Sequence, residues 1–115
     1  MAGLPTIDCV VTFLAPDEGG RVSAAFDTPT YRPHLVVGDT GRRKAVPGED
    51  YLGVAFTGDG RPFSVSVDHS VTLSLVYWPE VDYSTLVAGA TFTLREGARC
   101  VASGRVVRGI QEAPR

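Results

Sequence analysis

The sequence predicts an all-β fold: a single antiparallel β-barrel of six or seven strands. Three observations carry this. Apolar residues recur with a period of two almost throughout, and no window sustains a helical repeat. The 13 glycines and 8 prolines fall in short clusters that cut the chain into brief segments. Those segments are too apolar to leave sheet edges in water, a hazard that a closed or nearly closed barrel removes. At 115 residues the chain can bury one core and no more, so residues 1–115 form one domain, with an ordered part over about 5–109.

The elements follow in order. In "TIDCVVTFL" the set Ile7, Cys9, Val11 and Phe13 falls on one face, against Asp8, Val10, Thr12 and Leu14 on the other. "HLVV" after Pro33 is a short apolar strand. "YLGVAFT" runs to Gly58-Asp59-Gly60, a hairpin-type turn, and "FSVSV" after it reads as a further strand. "SVTLSLVYW" alternates Val71, Leu73, Leu75 and Tyr77 against Thr72, Ser74, Val76 and Trp78, stopping at Pro79, which has no amide proton for a ladder. "ATFTLRE" and "RCVASGRVV" are two strands joined at Glu96-Gly97, and "RGIQEAPR" reads as a fraying end.

Composition narrows the function classes. Hydrophobic residues at 43% and charged residues at 21% fit a globular rather than a disordered chain. A net charge of -2 gives no overall attraction for nucleic acid. The first residues carry no charged leader and place Asp8 within the apolar stretch, so neither a signal peptide nor a membrane span is expected. Cys9 and Cys100 are then expected as reduced thiols in a cytoplasmic protein, buried and inert. There is no G-x-x-x-x-G-K-[ST] loop, and the lone lysine is Lys44, so no nucleoside triphosphate is expected to bind.

Three turn motifs, in order, carry a resemblance: "VTFLAPDEGGR", "YRPH" and "TFTLREGARCVASGRVV". Together they resemble the third, C-terminal β-barrel domain of bacterial elongation factor Tu, over nearly the whole chain. The family has Tyr-Arg-Pro-Gln where this chain has Tyr31-Arg32-Pro33-His34, and Arg-Glu-Gly-Gly-Arg where this chain has Arg95 to Arg99 with Ala98. Ser66 and Val67 stand where a Pro-Gly turn precedes Asp68, and the connections around "GDTGRRKAVPGED" and "PEVDYSTLVAG" are longer. The resemblance implies a barrel that in the family packs on a second barrel and a GTPase domain. It also implies that the Glu-Gly of the closing turn belongs to a surface touching the T-stem of aminoacyl-tRNA. Without the GTPase motif, the resemblance implies that the chain is a free-standing copy of one piece.

Candidate site residues come from loops. Arg95, Glu96, Gly97 and Arg99 surround one tight turn, either a solvated tip or a set of phosphate contacts made by guanidinium groups and turn amides. Tyr31, Arg32 and His34 flank a proline that fixes strand entry, with the Arg32 guanidinium expected to pair with Asp17 or Glu18. Arg42, Arg43 and Lys44 form the densest basic cluster, blunted by Glu49 and Asp50. Asp68-His69-Ser70 holds the residue types of a hydrolase triad, but consecutive strand residues point to opposite faces. Cys9, His34, His69 and Cys100 lack a paired metal-ligand spacing. Tyr77, Trp78 and Tyr83 serve either as a hot spot or as the cover of a barrel end. The expectation is therefore a non-catalytic module without metal or cofactor. It would bind a protein partner through barrel-end loops, as an adaptor or decoy copying a face of elongation factor Tu. The alternative is weak tRNA or RNA binding through the 95–99 turn and the 41–45 loop.

Overall fold

The computed structural model describes residues 3–38 and 51–112. Six strands close into an antiparallel barrel: β1 (Thr6–Phe13), β2 (His34–Val37), β3 (Leu52–Phe56), β4 (Asp68–Leu75), β5 (Thr91–Glu96) and β6 (Arg99–Gln111), in the order β1-β4-β3-β2-β5-β6. Helix is confined to one 3-10 turn, Pro16–Glu18, among the described residues. None of the described helical structure is long and apolar enough to cross a membrane.

The period of two does its work most plainly in β1. Ile7, Cys9, Val11 and Phe13 all point inward and are buried, while the intervening residues face outward. Val71, Leu73 and Leu75 meet them from β4, with Cys9 opposite Val71. Leu35, Val54, Phe56, Phe92, Leu94 and Val101 complete a single interior cluster. β3 reads as one continuous apolar run because it is covered on both sides: Leu52, Val54 and Phe56 point inward, and the Tyr77 ring lies over Gly53 outside. The outer wall is also covered at Val36, Thr93, Arg95 and Cys100, all of which are buried.

Three expectations are corrected. "FSVSV" is not a strand: β3 pairs directly with β4, and residues 57–67 cross the barrel end between them. Phe63 turns inward, Ser66 takes a φ of 61°, and among the described residues the segment forms an isolated parallel bridge from Val65 to Phe13 in place of a ladder. The described residues therefore hold six strands. β4 stops at Leu75, where the Trp78 amide bonds back to the Leu75 carbonyl and turns the chain before Pro79 is reached. β6 runs on to Gln111, because β1 supplies it with a partner down to the pair Thr6–Gln111.

Antiparallel order places the ends of β1, β3 and β5 with the starts of β2, β4 and β6 at one end of the barrel. That end is spanned by segments 14–33, 57–67 and the tip at Gly97-Ala98. Tyr77, Trp78 and Tyr83 belong to the opposite end, where Tyr83 and Trp78 pack against the core while Tyr77 lies on the outer wall and is exposed. Tyr83 is fully buried, its hydroxyl donating to the Gly53 carbonyl at 2.6 Å and accepting the Tyr77 amide at 3.1 Å.

Candidate interaction surface at one end of the barrel

The end that carries the closing turn is plugged by aromatic rings. Phe13 stacks on Phe63 at 4.9 Å between centroids, Tyr31 stacks on Phe56 at 5.2 Å, and Phe63 meets Phe56 at 5.3 Å. Offset or tilted contacts at these separations are favourable geometries for aromatic pairs. Pro33 puts Tyr31 in place: the chain before it runs extended, so that the Phe56 amide bonds the Tyr31 carbonyl. His69 meets Phe63 edge-on at 4.9 Å and its Nε2 lies 3.0 Å from the Ser64 carbonyl. Asp68, on the other face of β4, instead accepts the Thr12 hydroxyl at 2.6 Å. The residues of the triad-like run thus bond separate partners.

Above the plug sits a polar clasp. Glu96, at the end of β5, accepts hydrogen bonds from the Tyr31 hydroxyl at 2.7 Å and from Arg21 Nη1. The Arg21 guanidinium also lies over the Tyr31 ring at 5.4 Å. Burial, and then the bond to Glu96, push the Tyr31 phenol far above its ordinary range, so it stays protonated. The bond to Glu96 likewise raises the Arg21 pKa. Two loops that the sequence holds 75 residues apart are fastened here.

Gly97 makes the tip: its φ of +60° lies in the left-handed region, where a side chain is disfavoured. Arg99 follows it, exposed. Arg95 does not join them. Its side chain is 0% exposed on the outer wall, Nε donating to the Thr93 hydroxyl at 3.1 Å. Inward alternation takes Phe92 and Leu94, so Thr93 and Arg95 face outward together, and that part of the wall is covered. A phosphate contact by Arg95 is therefore not available at the surface. Arg32 is exposed, but its Nε donates to the Pro29 carbonyl at 3.0 Å rather than pairing with Asp17 or Glu18. His34 is half-buried outside β2, opposite Arg95 in register and 5.6 Å from the Tyr51 ring. Arg42, Arg43 and Lys44 lie outside the described residues.

Beside the clasp is a small cavity of about 130 Å³, lined by Phe13, Ala25, Phe63, Val22, Val65 and Arg21 among others. Val22 is 87% exposed and Val65 42%, with Phe26 and Val67 also exposed on the same two segments. Sequence reasoning missed this surface. The alternation of "FSVSV" marks Val65 and Val67 as strand residues, and nothing local marks Arg21, which closes the "DEGGR" turn, as the partner of Glu96.

Both cysteines are buried. Cys9 faces the interior opposite Val106 of β6, whereas Cys100 lies on the outer wall near the tip. Burial, with a smaller push from Asp8, raises the Cys9 thiol to about 12. Among the described residues no group of three or more histidines, cysteines or carboxylates could hold a metal ion. No protein-family model matches the chain.

Proposed function

We propose that the chain is a non-catalytic interaction module of the cytoplasm that binds a protein partner through the closing-turn end of its barrel. It does so as an adaptor or decoy presenting a face like that of the third domain of elongation factor Tu. The observation that carries this reading is the apolar group around the cavity. Val22 and Val65 line the cavity and stand exposed, Phe26 and Val67 are exposed on the same two segments, and Arg32 and Arg99 are exposed on the same barrel end. Exposed apolar side chains sharing one end of a domain with arginine are the residue types of a protein-binding patch. RNA binding has weaker support, because phosphate neutralisation needs exposed cations. Arg95 is buried and Arg21 is taken up by Glu96.

The test is affinity capture with the tagged chain from its own cell lysate, half of it treated with nuclease, with Val22→Asp and Arg99→Ala captured in parallel. A protein that survives nuclease, is lost with Val22→Asp and is displaced by elongation factor Tu supports the reading. Recovery of tRNA, with proteins lost on nuclease treatment, replaces it with the RNA reading. A partner retained equally by Val22→Asp moves the binding surface elsewhere.

A further inference from the structure

We infer that residues 20–25 form a strap over the aromatic plug, and that Arg21 is its latch. This rests on the reading of the same barrel end as the partner surface and adds how access to it is governed. The strap is anchored at both ends by backbone bonds. Gly20 donates to the Ala15 carbonyl at 3.0 Å, and the Ala25 carbonyl accepts the Phe63 amide at 2.9 Å. Gly20 is required there, since a Cβ would stand 2.1 Å from the Leu14 carbonyl oxygen. Between the anchors, residues 21–24 make no backbone–backbone hydrogen bond among the described residues, and Val22, Ser23 and Ala24 are exposed. A stretch with so few bonds and so little burial opens at small cost.

One side chain holds it down. Arg21 Nε donates to the Ser23 carbonyl at 3.1 Å, which ties the guanidinium to its own strap. The same guanidinium then reaches the Glu96 carboxylate and covers the Tyr31 ring. With the latch shut, the space under the strap is about 130 Å³, room for one side chain of a partner. It is smaller than the roughly 300–1,000 Å³ of ordinary small-molecule pockets. With the latch released, the strap can lift between its anchors and bare Phe13 and Phe63, which now are 4% exposed each. A partner's own carboxylate, taking Arg21 from Glu96, would open the apolar floor that its neighbouring side chain then fills.

Trypsin reads this latch directly, because it cleaves after Arg21 only by drawing that guanidinium into its own acidic pocket. Glu96→Ala keeps the cleavage site and removes the latch's anchor. Cleavage at Arg21–Val22, followed by mass spectrometry on the full chain, should quicken by about three- to tenfold at matched global stability. Tyr31→Phe, which keeps the ring and loses only the hydroxyl bond to Glu96, should give a smaller rise. An unchanged rate, or a rise no larger than that at the other tryptic sites, overturns the proposal. Should Glu96→Ala not fold, wild-type protein in high salt, compared with a peptide of the same sequence, reports the same contact. No partner enters this assay, so its failure leaves the binding-surface reading to stand or fall on Val22→Asp.

Discussion

Arg95 and Arg99 flank the same tip yet do different work. Arg95 is wholly buried and bonded to Thr93, while Arg99 is exposed. Arg95→Ala empties a filled site and strips Thr93 of its donor, so it should cost about 2–4 kcal/mol in urea unfolding. Arg99→Ala should stay within about 0.5 kcal/mol of wild type and show its effect in partner capture alone. Equal stability of the two variants would mean that the buried guanidinium contributes nothing to the fold. Cys9 gives a second test, in pH. Its thiol titrates near 12 in the folded barrel, against an ordinary value of 9.0. Between those values the unfolded chain releases a proton that the folded chain keeps. Stability is therefore fully present below about pH 9 and falls as pH rises, by up to about 1.4 kcal/mol per unit. Tyr31 and Tyr83, also raised, add to the fall at higher pH. Cys9→Ala should unfold with a visibly flatter alkaline slope than wild type, whatever its stability at neutral pH. Parallel slopes would remove Cys9 from the account.

At the scale of elements, the chain was most legible where one local pattern met one local environment. β1 and β4 show their inward faces in the alternation of Ile7, Cys9, Val11 and of Val71, Leu73, Leu75, because a strand in a barrel wall has one dry side. "FSVSV" carries the same alternation and is no strand, since Ser66 leaves the extended region and no neighbour pairs along its length. Its Phe63 is buried by capping the barrel, an environment that local periodicity does not distinguish from a wall. The candidate site was half legible for a related reason. Gly97 and the charges of the closing turn are visible one after another in sequence. The Glu96–Arg21 pair depends on two ends of the chain meeting, and the burial of Arg95 depends on cover arriving over the outer wall. Neither fact is written within a few residues of the atoms concerned.

For the whole molecule, the seam between β1 and β6 decides whether the sheet is a barrel or a curled ribbon. β6 pairs with β5 through its first half and with β1 along its length from Ala102 to Gln111. Its last turn of pairing secures the start of β1, where Asp8 takes the Thr72 hydroxyl at 2.8 Å on one side and Gln111 Nε2 at 3.4 Å on the other. Arg108 adds a pair to Asp8 at 3.9 Å, exposed enough to contribute little. Ile110 packs against the core from the same stretch. Ending the chain after Val107 removes the contacts of Arg108, Ile110 and Gln111 and leaves the first residues of β1 as an open edge. The expected cost is about 2–4 kcal/mol in urea unfolding, with self-association rising at higher concentration because an unpaired apolar strand edge recruits another. A truncated chain that matches wild type in both measurements would place closure entirely in the pairs from Phe13–Ala102 to Cys9–Val106, and make the remainder of β6 a dispensable extension of the wall.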